Sequence, residues 1–188
     1  MKQERIDRYI QTFDELNVLA QNTDEAERVD VAETVLVMAY KRGLEDTEDM
    51  LDYLIDTEQD SLFSDSRTSE MQKTIYEKID GKTFEERIQE GLSQEEYQRV
   101  LETEYHRVYN ETALATAKRI ESLTGRSLTK TWRTVLDNRV RATHEPLEGL
   151  TKALDEKFYT IDGDEGLYPG GFKNPSNSIG CRCWLDFE

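Results

Sequence analysis

The chain has 188 residues, long enough for one large domain or two small ones with a real core. Hydrophobic residues make up 36% and charged residues 34%, with a net charge of −16, a balance that is polar for a globular protein and closer to a helical assembly protein. Its apolar runs are only a few residues long, which excludes a membrane-crossing helix, and Met1–Arg8 lacks the apolar core of a secretory signal. The product is therefore expected to be cytosolic at birth, with its two cysteines reduced rather than bridged.

No proline precedes Pro146, and only four of the ten glycines precede residue 126, so the first two thirds read as helix after helix. Ile6, Tyr9, Ile10, Phe13 and Leu16 recur at helical spacing and predict a first amphipathic helix. A second starts at Asp24, whose pairing with Glu27 has a capping-box pattern, runs through Val31, Ala32, Val35, Leu36 and Ala39, and stops at Gly43. A short helix over 46–58 carries Met50, Leu51, Leu54 and Ile55, and another carries Met71, Ile75 and Ile79. Thr83 with Glu86 caps a further helix through Ile88. Ser93 with Glu96 starts the longest helix, which ends before Gly125 and measures about 45 Å at 1.5 Å per residue.

After Gly125 the texture changes. Thr129 to Val135 is rich in β-branched and aromatic residues and predicts a strand. Asp137 is placed to cap a helix reaching about His144, broken at Pro146, with a second turn through Leu150 and Leu154. Phe158 to Ile161 is a second candidate strand, residues 162–180 read as loop, and Cys181 to Phe187 as a returning edge strand. The fold expected is α+β: a helical body over residues 1–125, then a small α/β module over 126–188.

Charge is divided unevenly. Residues 1–125 hold 30 acidic and 15 basic side chains, whereas 126–188 hold 10 and 9. Within 126–144 there are five basic residues (Arg126, Lys130, Arg133, Arg139, Arg141) against Asp137 alone. Non-specific DNA binding is electrostatic, so any nucleic-acid contact must use this stretch, with Arg133, Arg139 and Arg141 the candidates. Pairing of these arginines with the acidic helices is the favoured alternative.

The chemically distinctive residues gather in the same third: both Trp, both Cys, all three Pro and one of the two His follow residue 131. Cys181 and Cys183, two apart, aim their thiols to one side if extended; His144 offers a third zinc donor, and Asp137, His106 or water a fourth. The C-x-C spacing and the shortage of ligands favour instead two small buried cysteines, with no metal or cofactor. His144 with Arg139, Arg141 and Thr143 also has the make-up of a phosphodiester-cleaving set, an imidazole base beside guanidinium groups. The structural alternative is preferred: an Asp137–Arg141 ion pair, and His144 beneath the C-R-C strand donating to a backbone carbonyl. No phosphate loop, H-E-x-x-H or G-x-S-x-G occurs, and Asp162–Gly166 lacks the twelfth-position Glu of a calcium loop, since residue 173 is Lys; its acids read as a solvated turn. A loop-rich module with few aliphatics is expected to bring Trp132, His144, Cys181, Cys183 and Trp184 together as its core.

The order Trp132, then Asp137-Asn138-Arg139-Val140-Arg141-Ala142-Thr143-His144, then Leu147 and Gly149, closed by Cys181-Arg182-Cys183, resembles the phage Mu F-like minor head protein family. The motif-bearing match covers roughly residues 126–185. Two departures stand out: Gly180 replaces the Asn that often precedes C-R-C, and the sequence ends five residues after Cys183, where some relatives continue into toxin or transferase modules. The resemblance implies a minor capsid protein of a tailed bacteriophage. It implies a place inside the prohead near the portal, after assembly in the host cytoplasm, and a part in head morphogenesis and DNA packaging or ejection. The partners it implies are the portal protein and/or the major capsid or scaffold protein; the basic stretch allows weak DNA contact, and the short apolar runs argue against a membrane partner. No catalysis is expected of such a protein; the alternative is a nuclease-like or transferase-like domain built on His144, Arg139 and Arg141.

Overall fold

The computed structural model describes residues 2–54 and 67–188 and is α+β. Five helices come first: α1 (Lys2–Asn22), α2 (Arg28–Leu51), α3 (Arg67–Ile75), α4 (Phe84–Ile88) and α5 (Gln94–Thr124). The rest holds β1 (Thr129–Arg133), β2 (Thr151–Ala153), β3 (Phe158–Tyr159), β4 (Glu165–Gly166), α6 (Pro175–Ser178) and β5 (Trp184–Phe187). An antiparallel sheet has the order β2-β1-β5, with Trp132 opposite Leu185, and β3 and β4 form a separate ribbon.

Local chemistry explains most boundaries. Both capping boxes at Thr83/Glu86 and Ser93/Glu96 form in full, each hydroxyl accepting from the Glu backbone N–H and each carboxylate accepting in return. The Asp24 pattern does not: Asp24 caps only a short 3-10 turn through its backbone, and its side chain makes no cap bond. Nor does α2 stop at Gly43. It continues to Leu51, because Gly43 faces α5 at a crossing where a Cβ would lie 2.5 Å from the Tyr109 carbonyl. A glycine at a helix crossing is spent on close approach rather than on termination. What was expected as a separate helix over 46–58 is thus the end of α2 followed by a 3-10 turn over Asp52–Leu54; residues 55–58 lie outside the described residues. Ile79 falls beyond α3, in an isolated bridge with Lys82.

α5 is the spine. Its first half, with Tyr97, Leu101, Tyr105, Val108 and Tyr109, closes a core with α1, α2 and α4; its second half, with Ala113, Leu114, Ala117 and Ile120, floors a second core under the sheet. Trp184 of β5 points back into the first core, where its ring lies 5.2 Å from that of Tyr9, while Cys183 and Leu185 point into the second. The period-2 alternation of a strand separates these neighbours onto opposite faces. Trp184 therefore does not join Trp132 and His144, as the sequence suggested; it welds the sheet to the helical body.

No helix follows Asp137. Residues 137–144 make successive turns, ending in a 3-10 turn over Glu145–Leu147, and the residues around Leu150 and Leu154 flank strand β2 rather than a helical turn. Leu136 ahead of this segment has φ +57°, a left-handed conformation that directs the chain out of β1 into turns instead of a helix.

Candidate functional site

The turn segment 137–144 runs alongside the segment 177–183, and the motif residues are the ties between them. Arg182 donates from one nitrogen to both oxygens of Asp137, at 2.7 and 2.9 Å, and Asp137 also accepts from the backbone N–H of Arg139 at 3.0 Å. The Arg182 guanidinium and the adjoining backbone amide hold the Asp137 carboxyl below its ordinary value against the opposing effect of partial burial. Arg141 donates to the carbonyl of Ile179, and Thr143 to Asn177 at 3.0 Å. The expected Asp137–Arg141 pair is therefore replaced by Asp137–Arg182: without a helix, positions four apart do not share a face, and Arg182 projects outward between two inward cysteines.

His144 completes the set. It is 1% exposed, and its Nδ1 lies 3.5 Å from Cys181 Sγ and 3.6 Å from Cys183 Sγ. Its ring contacts the two thiols, not the backbone carbonyl expected, and among the described residues its Nε2 has no hydrogen-bond partner. Trp132, fully buried, stands edge-on to the imidazole at 5.5 Å, with Phe158 and Phe172 at 5.1 and 5.6 Å from the indole. Gly149, at φ +77°, donates to the Trp132 carbonyl at 2.9 Å, and Trp132 N–H donates to Leu150, extending the β1–β2 pairing past a left-handed corner.

The two cysteines are free and buried. Burial would push both thiols up. Contact with Cys183 and with the imidazoles of His106 and His144 outweighs it at Cys181, whose value falls well below that of an ordinary thiol, while Cys183 is pushed well above. Two adjacent thiolates repel, so the pair ionises one member first.

His106 was a marginal candidate in the sequence and is central in the fold. From mid-α5 its Nε2 sits 2.7 Å from the Cys183 carbonyl, which Tyr9 Oη and Asn110 Nδ2 also approach at 3.2 and 3.4 Å. Two further charged residues are buried without any mark of it in the sequence. Lys130, fully buried, donates to the carbonyls of Leu154 and Leu167 at 2.7 and 2.9 Å, and desolvation lowers it to about 8. Arg107, also buried, binds Glu104, Glu111, Glu77 and the Thr74 carbonyl.

The basic stretch is mostly spent internally. Arg133 pairs with Asp186 at 2.7 Å and Glu148 at 3.5 Å, Arg141 is turned onto Ile179, and Lys130 is buried, leaving Arg126 and Arg139 exposed. The acids of 162–165 sit on a turn, with Asp162 exposed, and each also has a partner. Asp162 and Asp164 accept from Asn177, and Glu165 pairs with Lys157 and Lys173.

Comparison with known proteins agrees with the motif. The model of the phage Mu protein F like family matches residues 54–186. Among curated proteins the chain is similar to minor head protein GP7 of Bacillus phage SPP1, 35% identical over 83 residues, which cover 44% of this chain and 26% of that protein. The aligned part thus spans about a quarter of the relative's length. No solved structure matches the chain. With the family match covering more than half of its length, the chain belongs to the phage Mu protein F like family.

Proposed function

We propose that the chain is a minor head protein of a tailed bacteriophage or prophage, carried in the capsid interior near the portal and acting in head assembly and in DNA packaging or ejection. The observation that carries this is the family match over residues 54–186, joined by the 35% identity to a protein named for the phage head. The portal protein, with the major capsid or scaffold protein, is the partner of choice. A body with 30 acidic and 15 basic residues over 1–125 suits a basic protein rim better than a phosphate backbone.

Burial supports a building role for the motif over a catalytic one. His144 is 1% exposed and faces two thiols, and Arg141 is occupied by a backbone carbonyl, so imidazole and guanidinium do not converge on a reachable phosphate.

Co-expression with the portal, scaffold and major capsid proteins of the same phage tests it. Purified proheads should contain the chain in few copies, incorporation should require the portal, and His144→Ala should lower both folding of the C-terminal module and copy number. Incorporation independent of the portal would remove the portal location. A His144→Ala variant that folds and assembles normally while a wild-type nuclease or transferase activity disappears would overturn the structural assignment.

A further inference from the structure

Cys181, Cys183 and His144 bring two sulfurs and one imidazole nitrogen within 4.8 Å of one another, all three residues buried. They come from segments 37 and 39 positions apart in sequence, held in place by the Asp137–Arg182, Arg141–Ile179 and Thr143–Asn177 ties. Two nearly equal separations, 3.5 and 3.6 Å, run from a single ring nitrogen to both sulfurs. An imidazole nitrogen has one lone pair or one proton in the ring plane, enough for one directed hydrogen bond, so two equivalent sulfur neighbours are better served by a cation between them. Tetrahedral zinc with Zn–S near 2.3 Å and Zn–N near 2.1 Å places its sulfur and nitrogen ligands about 3.6 Å apart.

We propose that Cys181, Cys183 and His144 form a zinc site. The donor set, two thiolates and an imidazole, is the one zinc takes among first-row ions without redox chemistry. From α5 the His106 ring fixes the Cys183 backbone carbonyl at 2.7 Å, and Trp132, Phe158 and Phe172 form an aromatic wall that keeps the centre buried. Binding displaces the thiol protons to solvent as the ion enters. Zinc here gives the C-x-C spacing a purpose: the module has few aliphatics, and a metal crosslink between residues 144 and 181–183 closes it. The inference stands apart from the function proposed above, since a metal-closed module serves a head protein or an enzyme equally.

The test is the full chain expressed in zinc-supplemented medium, with elemental analysis and cobalt substitution. About one zinc per chain is expected. Cobalt in its place should give the thiolate charge-transfer and visible bands of a tetrahedral sulfur-ligated site, a readout on the wild-type protein that needs no variant. Cys181→Ser with Cys183→Ser should abolish both signals, and His144→Cys, which keeps a soft donor at the same place, should retain the metal where His144→Ala loses it. Wild-type protein without zinc and without cobalt bands would overturn the proposal, as would zinc retained in the double serine variant or a mass two hydrogens lighter, which would mean a Cys181–Cys183 disulfide instead.

Discussion

His106 Nε2 lies 2.7 Å from the carbonyl oxygen of Cys183 across 77 positions of sequence, so the middle of the longest helix grips the backbone of the C-R-C motif. A carbonyl oxygen accepts, which sets the proton on Nε2 of His106. Tyr9 from α1 and Asn110 from α5 approach the same oxygen at 3.2 and 3.4 Å, so three side chains from two helices converge on one buried atom.

This clamp predicts unequal losses. Tyr9→Phe removes one neutral donor and leaves two, and should cost about 1 kcal/mol. His106→Leu removes the shortest contact from the buried oxygen and should cost about 2 to 3 kcal/mol. Urea unfolding of both variants measures the difference; a His106→Leu protein as stable as wild type would show that the helix does not hold the motif.

Gly43→Ala sets two effects against each other. Alanine is the better helix former by about 1 kcal/mol, yet its Cβ would sit 2.5 Å from the Tyr109 carbonyl and 3.2 Å from Thr112 Cβ. Neither obstacle is the end of a flexible side chain, so α2 must move off α5, at a cost of about 1 to 3 kcal/mol. A net destabilisation and a lower thermal midpoint are expected, whereas a stabilised variant would mean the crossing relaxes freely.

These particulars show which parts of the fold could be read from sequence. The helical body was readable because it rests on local signals: the 3.6 period of Ile6, Tyr9, Phe13 and Leu16, and the reciprocal bonds of Thr83/Glu86 and Ser93/Glu96. Reading failed where tertiary contact outranks the local rule. Gly43 resembles a stop but is a packing residue, and Asp137 resembles an N-cap but is the partner of Arg182, 45 positions away. The proximity of Trp132, His144, Cys181 and Cys183 followed from their shared rarity; the opposite direction of Trp184 follows from strand alternation, which needs the register to be known. His106, Arg107 and Lys130 were invisible as buried groups because a polar residue in a polar helix or strand carries no mark of its burial. Glu104, Arg107 and Glu111, spaced three and four apart, look the same on a solvated helix face.

Glu111 should give the stability a pH dependence of defined sign. Burial raises its carboxyl from 4.5 to about 7, with Arg107 opposing and Glu77 adding to the rise. The folded state therefore holds this proton more tightly than the unfolded one. The contribution is fully present below pH 4.5 and is lost as pH rises through about 7. Glu111→Gln removes the titration while keeping an oxygen for Arg107, so relative to wild type it should gain stability between pH 5 and about 7.5, then level off. Denaturant midpoints for both proteins across that range supply the check, and parallel curves would mean Glu111 stays ionised in the fold.

Lys130→Met should damage the C-terminal module more than any substitution at the exposed arginines. The lysine is fully buried, and its amine joins the carbonyls of Leu154 and Leu167, so one strand residue fixes the chain after β2 and after β4. Methionine fills similar volume but leaves both acceptors without this donor, at about 1 to 3 kcal/mol for each one left unsatisfied. The relief of a desolvated ammonium, whose value burial lowers to about 8, offsets part of that loss. Unpaired acceptors outweigh the relief because two are freed for one charge removed, giving an expected net loss of about 2 kcal/mol. Arg139→Ala, at an exposed position, should change stability by less than about 0.5 kcal/mol. Hydrogen exchange should locate the Lys130→Met effect at residues 154–167, and equal protection there in variant and wild type would show that the buried amine does not pin these segments.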